Sequence, residues 1–134
     1  MARTKLGANA IFSGTQKGLS ILSDRCYALS GVIGVAQAEV SMLDFSTEAN
    51  IIKADIQLVS AVEVSDNYEF KVKFNGQTIW KQRLTNTVQL YPYGIYPIQL
   101  VIPPLTKVEI TLYNVSADTS REWSVSLTGR IYDA

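Results

Sequence analysis

The chain has 134 residues, with 12 basic and 12 acidic side chains, so its formal net charge is zero. A chain of this length folds as one domain without needing disulfides or metals. Zero net charge argues against a protein held on nucleic acid by a clustered excess of lysine and arginine. Only 18% of the residues are charged, against about 25% in an average soluble domain. This indicates either a surface covered by other subunits or a domain that is simply poor in charge.

Residues 1–17 are small, polar and mildly basic, and they contain no acidic residue. We interpret them as an N-terminal arm, followed by a folded domain over residues 18–134. The arm is either a frayed terminus or a tether that orders on a neighbouring subunit, in which case Arg3, Lys5 and Lys17 are its contact residues. No apolar stretch follows Met1 and no run of ~20 apolar residues occurs, so neither a signal peptide nor a membrane span is expected.

The first strand is predicted at Leu19 to Leu22, before a turn at Ser23-Asp24. The apolar run from Cys26 to Val40 is broken by Gly31 and Gly34. Each glycine costs a helix about 1 kcal/mol relative to alanine. A strand covered on both faces, with a bulge at a glycine, is therefore favoured over the alternative of a helix.

From Val40 onward the strand pattern is clearer. Val40 to Phe45 forms a short strand, and residues 51–64 alternate apolar and polar side chains, which is typical of a half-buried strand. The side chains predicted to face inward are Ile52, Ala54, Ile56, Leu58, Val62 and Val64. The next turn is predicted at Ser65-Asp66-Asn67.

A β-hairpin is the strongest local signal in the chain. Tyr68 to Phe74 alternates apolar and charged side chains, with Tyr68, Phe70, Val72 and Phe74 predicted to face inward, and Asn75-Gly76 follows directly. A two-residue type I′ turn needs positive φ at both central positions, and asparagine and glycine adopt that conformation readily.

A turn of two residues also fixes the register of the hairpin. The predicted cross-strand pairs are Phe74 with Gln77, Lys73 with Thr78, Val72 with Ile79, and Lys71 with Trp80. Ile79 is therefore expected on the core face. Trp80 is expected on the outer face, where its indole is covered by a partner or stacked under lysine.

The segment from Tyr91 to Pro97 contains two prolines, which remove ladder donors and exclude an interior strand. It also holds three tyrosines, Tyr91, Tyr93 and Tyr96. Tyrosine offers a large contact area at a low entropy cost, which suits a protein interface. A sugar-stacking platform and a loop folded over its own sandwich are the alternatives.

Strand signal returns at Ile98 to Ile102, stops at Pro103-Pro104 and resumes at Val108 to Tyr113. After a turn at Asp118-Thr119-Ser120, the last strand is predicted around residues 122–131. The inward side chains of these last two strands are predicted to be Val108, Ile110, Leu112, Trp123, Val125, Leu127, Gly129 and Ile131. In total about eight or nine strands, spaced about 8–12 residues apart, predict an all-β antiparallel sandwich or barrel.

The chain lacks the residues of the common catalytic and metal sites. It has no histidine and one cysteine, Cys26. A histidine-based nucleophilic triad and a zinc site are therefore excluded, and so is an intrachain disulfide. Cys26 lies in an apolar run and is predicted to be a small buried hydrophobe.

Carboxylates leave two weaker possibilities open. A glycosidase-type pair needs two carboxylates facing one substrate, and the candidates are Asp44 with Glu48 and Asp55 with Glu63. A calcium site needs several loop oxygens, and the candidates are Asp24 and the pair Asp66-Asn67. All lie at strand ends, in loops or on outward positions, where carboxylates are normally solvated. We therefore predict a protein that is not an enzyme and holds no cofactor or metal.

Several segments of the C-terminal two-thirds resemble a known family. They are, in order, Phe45-Ser46-Thr47, residues 68–76 (YEFKVKFNG), Ile79-Trp80, residues 98–104 (IQLVIPP), residues 108–114 (VEITLYN) and residues 126–130 (SLTGR). Over roughly residues 18–132 the pattern is similar to the small jelly-roll decoration (cement) proteins on the capsids of tailed bacteriophages, and to related virion jelly-roll proteins. The resemblance implies an antiparallel jelly roll, usually a trimer, that locks neighbouring capsomers against internal DNA pressure.

We therefore expect a virion structural protein that binds the outer capsid surface as a homotrimer, with the major capsid protein as its partner and neither nucleic acid nor membrane as a ligand. We expect its synthesis in the host cytoplasm. The predicted capsid contacts are Arg3, Lys5 and Lys17, and the predicted protomer or ligand surface consists of Trp80, Tyr91, Tyr93 and Tyr96. The alternative is a receptor-binding or carbohydrate-binding module of a tail tip or fibre, with the same aromatic side chains stacked on a glycan.

Overall fold

The computed structural model describes residues 18–35, 37–60, 67–84, 97–115 and 121–133. These residues form ten β-strands: β1 Leu19–Leu22, β2 Arg25–Leu29, β3 Ile33–Val35, β4 Val40–Ser46, β5 Asn50–Ser60, β6 Tyr68–Phe74, β7 Gln77–Leu84, β8 Ile98–Ile102, β9 Lys107–Asn114 and β10 Arg121–Asp133. None of the described residues belongs to a helix that could cross a membrane.

The strands form two antiparallel sheets. Sheet A has the order β1-β2-β10-β5-β8, with β3 also paired to β10, and sheet B has the order β4-β9-β6-β7. If β1 and β3 are set aside, the remaining eight strands can be lettered B to I along the chain. The sheets then read B-I-D-G and C-H-E-F, which is the arrangement of a jelly roll. The predicted antiparallel jelly-roll sandwich is confirmed.

The apolar run from Cys26 to Val40 departs from its prediction. It forms neither one continuous strand nor a helix, because β2 ends at Leu29 and β3 starts at Ile33. Between them Gly31 has a φ of 72°, outside the strand region. Because this break divides the run into β2 and β3, the described residues form ten strands, above the eight or nine predicted.

Ser30 satisfies the backbone at this break. Its Oγ accepts a hydrogen bond from the amide of Val125 at 2.8 Å and donates to the carbonyl of Gly31 at 2.6 Å. The expectation that the run is covered on both faces is wrong for this chain by itself. In β2 the side chain of Cys26 is buried, whereas that of Tyr27 is exposed on the outer face.

The hairpin turn forms as predicted, with φ angles of 52° at Asn75 and 83° at Gly76. The first two predicted pairs, Phe74 with Gln77 and Lys73 with Thr78, are present. The register then shifts at a β-bulge, so that the next pairs are Val72 with Trp80 and Lys71 with Lys81.

The bulge corrects the predicted positions of two side chains. Ile79 is the extra residue of β7 and is 43% exposed, so its expected place on the core face is wrong. Trp80 lies opposite the buried Val72 instead of Lys71, so its expected place on the outer face is also wrong, although it is 40% exposed. A bulge sets two residues of one strand against one of its partner, which the count from a tight turn does not anticipate.

The core lies between the two sheets and follows the predicted alternation. The predicted inward residues that are buried are Ile52, Ala54, Ile56, Leu58, Tyr68, Phe70, Val72, Val108, Ile110, Leu112, Trp123, Val125, Leu127 and Ile131. At the centre, the rings of Tyr68 and Trp123 meet edge to face with centroids 5.0 Å apart. Val62, Val64, residues 65–66 and the predicted turn at 118–120 lie outside the described residues.

Candidate functional site: three exposed surfaces

The carboxylates considered as catalytic or calcium ligands are spread over the surface. Asp44, Glu48 and Asp55 are all exposed, and Asp24 forms an ion pair with Arg130. In the described ranges no three metal-binding side chains of the histidine, cysteine, aspartate or glutamate type are grouped. Glu63 and Asp66 lie outside those ranges. The exposed surfaces of the sandwich are therefore the candidate functional sites.

The outer face of sheet B carries a connected set of ion pairs, here called the ion-pair network. Its carboxylates are Glu39 and Glu69. Glu39 pairs with Lys71 at 3.4 Å and with Lys73 at 3.1 Å. Glu69 lies 3.4 to 3.7 Å from the cationic groups of Lys71, Lys81 and Arg83. Each of these four cations is thus paired with a carboxylate of the chain itself.

The network shifts the protonation of its members. Burial alone would raise the pKa of Glu39, but hydrogen bonds and the positive charges of Lys73 and Lys71 outweigh it, and the pKa is lowered. The pKa of Glu69 is lowered in the same way by Lys71 and Lys81. Burial alone would lower the pKa of Lys71, but Glu39 and Glu69 raise it. All these groups therefore stay charged over a wide pH range.

The outer face of sheet A is organised differently. The register places Arg25, Arg130 and Lys53 side by side on β2, β10 and β5, and all three are exposed. We call these three residues the cation row. Nη2 of Arg130 lies 3.4 Å from Oδ2 of Asp24. Nζ of Lys53 lies 5.9 Å from the centre of the Tyr132 ring, within reach of a cation–π contact.

Two shallow grooves open beside the cation row. One has a volume of about 230 Å³ and is lined by the three cations with Tyr27, Asp55, Thr128 and Gly129. The other has a volume of about 340 Å³ and is lined by Lys53, Ala54, Asp55, Gln99, Leu100, Val101 and Tyr132. Because Lys53 and Asp55 line both, the grooves lie next to each other along the sheet.

The third surface is the free side of β7, the last strand of sheet B among the described residues. It presents the exposed side chains of Ile79 and Trp80 next to each other. Trp80 is thus accessible to a partner, on an edge strand instead of beside Lys71. The other predicted contact residues, namely Arg3, Lys5, Lys17, Tyr91, Tyr93 and Tyr96, lie outside the described residues.

Sequence reasoning misses the cation row. The alternation places Lys53 and Arg130 on outward positions, but it does not show which strands are neighbours. The row exists only because β10 inserts between β2 and β5. The only sign of the row in the local sequence is that each of its residues is a cation at an outward-facing position of a half-buried strand.

Comparisons with known proteins give a fold relationship. No protein-family model matches the chain, and no curated protein matches it significantly. Among solved structures, the crystal structure of the infectious bursal disease virus VP2 subviral particle is similar, with a TM-score of 0.50 and 14% sequence identity. The alignment covers 84% of this chain but only 35% of that one, so this chain spans about a third of its length. At this identity the likeness concerns the β-sandwich fold.

Proposed function

We propose that the chain is a non-enzymatic structural protein of a virion, which decorates the outside of a capsid as a homotrimer and stabilises it. The observation that carries the proposal is the B-I-D-G and C-H-E-F strand order, in a sandwich similar to that of the VP2 subviral particle. Because one fold hosts many functions, the proposal also depends on what the exposed surfaces can bind.

In this proposal the free side of β7 forms the contact between protomers. Tryptophan is enriched at the centres of protein interfaces, where it is fully desolvated. Trp80 and Ile79 provide such an anchor on one edge of sheet B. Tyr91, Tyr93 and Tyr96 are proposed to extend the same contact. An interface of about 800 Å² per partner accounts for the low charged fraction of the chain.

The N-terminal arm is the proposed tether to the major capsid protein. Arg3, Lys5 and Lys17 give residues 1–17 three cations and no carboxylate. In this proposal these three cations make the contacts with the capsid shell. Synthesis in the host cytoplasm, followed by addition to the capsid exterior, is part of the same proposal.

Reconstitution on particles that lack the chain tests the function. Purified chain is added to virions from which its gene has been deleted, and the pellet is analysed after centrifugation. The full chain should co-sediment at saturable stoichiometry, whereas a full-length variant with Arg3→Gln, Lys5→Gln and Lys17→Gln should bind much more weakly at equal stability. Equal binding of the variant would remove the arm from the proposal. No binding of the unaltered chain would refute capsid decoration.

The location of the bound chain on the virion distinguishes capsid decoration from the main alternative. Binding confined to the tail tip or to a fibre would instead favour a receptor-binding or glycan-binding module. In that case Trp80 and the three tyrosines would be the side chains that stack on sugar rings. A glycan array with the unaltered chain and the Trp80→Ala variant would then replace the capsid assay.

A further inference from the structure

A single cross-strand row runs across the whole outer face of sheet A. From one edge of the sheet to the other it consists of Leu22, Arg25, Arg130, Lys53 and Val101, each paired with the next in register. All five side chains are exposed, including the apolar ends Leu22 at 60% and Val101 at 58%. The cation row is thus flanked by exposed apolar side chains on both sides.

The cation row is electrostatically unfavourable in the free protein. Neighbouring strands lie about 4.8 Å apart, so the three cations span only ~10 Å, and like charges directly opposite each other destabilise a sheet. Within the described part of the chain, Arg25 and Lys53 form no ion pair, and Arg130 reaches only one oxygen of Asp24, at 3.4 Å. The neighbouring carboxylate Asp55 pairs with none of the three.

Sheet B provides an internal comparison. On its outer face the lysines of β6 and the cations of β7 are all paired with Glu39 or Glu69. The same chain therefore gives each of these cations a carboxylate partner, whereas Arg25 and Lys53 of the cation row have none among the described residues. The missing ionic partners of Arg25 and Lys53 are the feature that a partner protein can supply.

We propose that the cation row is a docking site for a carboxylate-rich surface of a protein partner. Each guanidinium presents parallel N–H donors that fit the two oxygens of a carboxylate. The groove beside the row adds the hydroxyl groups of Tyr27 and Thr128. This inference rests on the proposed function in taking the partner to be the capsid shell, which would seat against sheet A.

The composition of the face favours a protein over a polyanion. Leu22 and Val101 at the two ends fit an interface with an apolar component. Asp24 and Asp55 lie on or beside the row and would repel the continuous phosphates or sulfates of nucleic acid or a sulfated glycan. Isolated carboxylates on a folded surface can meet the three cations and avoid these two acids.

Binding of hexaglutamate, followed by NMR at low ionic strength, tests the inference. The amide signals of Arg25, Lys53 and Thr128 should shift in the ¹⁵N-labelled full chain. The double variant Arg25→Gln/Lys53→Gln should bind about fivefold more weakly, because it removes two of the three cations and each exposed charge pair is individually weak. The matched control Lys81→Gln/Arg83→Gln also removes one lysine and one arginine, but from the ion-pair network, and should leave the affinity unchanged.

A stability measurement excludes a merely structural role for the row. Because Arg25→Gln removes a like-charge contact, its melting temperature should equal or exceed that of the unaltered chain. A clear decrease would show that Arg25 stabilises the fold and would overturn the inference. So would equal weakening of hexaglutamate binding by the control variant, or an absence of shifts on sheet A.

Parallel titrations with a heparin fragment and a short DNA duplex test whether the cation row instead binds a sulfated glycan or nucleic acid. If either shifts the cation row and hexaglutamate does not, the inference is wrong, and the site belongs to that class of ligand. Failure of hexaglutamate to bind leaves the reconstitution assay on gene-deleted virions unaffected. Peptide binding without attachment to those virions would contradict capsid decoration and not the acidic docking site.

Discussion

At the residue scale, Gly129 occupies a position in β10 where the sheet has no room for a side chain. A Cβ atom there would lie 2.8 Å from Cγ2 of Ile52, 2.9 Å from Sγ of Cys26 and 3.0 Å from the carbonyl oxygen of Lys53. Two of these atoms belong to buried side chains and the third to the backbone of the adjacent strand, so none can move freely. Gly129 is therefore required by the close approach of β2 and β5 to β10.

We predict that Gly129→Ala lowers the free energy of unfolding by about 1–3 kcal/mol, the usual cost of overpacking a core. Urea unfolding followed by tryptophan fluorescence measures it. The control is Thr128→Ala, which changes an exposed side chain on the same strand and should alter stability by less than about 0.5 kcal/mol. Equal stability of both variants would contradict the packing described at this site.

Cys26 shows what burial does to a single reactive group. It is fully buried, as the sequence predicts, and burial raises its pKa to about 11. The thiolate is the reactive form of cysteine. We therefore predict negligible labelling of Cys26 by a disulfide reagent at pH 8 in the folded protein. Labelling should be rapid in concentrated guanidinium, which is about twice as effective per mole as urea in unfolding proteins. Rapid stoichiometric labelling of the folded chain would show that β2 opens readily.

At the scale of elements, the ion-pair network joins β6 and β7 to the segment before β4. The lowered pKa values of Glu39 and Glu69 mean that their contribution to stability is present above their ordinary pKa of 4.5 and is lost as the pH falls through the lower folded values. The raised pKa of Lys71 means that its contribution is present below 10.5 and is lost as the pH rises through the folded value. The network therefore stabilises the sheet between these limits.

We predict that Glu39→Gln lowers the free energy of unfolding at pH 7 by no more than about 1 kcal/mol, because exposed ion pairs are individually weak. The difference from the unaltered chain should shrink as the pH falls below 4.5. Denaturant titrations at several pH values measure it, with Asp44→Asn as a control for an exposed carboxylate on the same sheet. A difference that stays constant down to pH 2 would rule out the ionic origin.

The hairpin shows how far local sequence reasoning reaches. The alternation of Tyr68 to Phe74 and the Asn75-Gly76 turn are local properties, and both are present in the structure. The bulge at Ile79 is not local, because it depends on how an edge strand fits against β6, which is paired to β9 on its other side. The register beyond the second pair of the hairpin therefore could not be counted from the turn.

The strands could likewise be predicted from local sequence, whereas the exposed surfaces depend on which strands become neighbours. The inward faces of β5, β9 and β10 follow from alternation, since each strand has one face in the core. The cation row needs three strands that are far apart in the chain to become neighbours. Trp80 was identifiable as an exposed aromatic residue, but its neighbour Ile79 joins it only through the bulge.

At the scale of the whole molecule, the proposed trimer makes a direct prediction. Sedimentation velocity at micromolar concentration should give a mass three times the 14.8 kDa of one chain. Trp80→Ala should shift the distribution towards monomer. A tryptophan at the centre of an interface commonly contributes about 2 kcal/mol or more, and its loss would weaken the association about 30-fold. Leu105→Ala, which truncates another exposed apolar side chain in the turn between β8 and β9, should leave the trimer intact. A monomeric unaltered chain would exclude self-association through β7.

Cryo-electron microscopy of the virions, with and without the gene for this chain, tests capsid decoration most directly. We predict a trimeric density on the outer capsid surface that accommodates the two-sheet sandwich, with sheet A facing the shell, and that is missing from the gene-deleted particles. Identical maps of the two particles, or a difference confined to the tail or the interior, would contradict the proposed role.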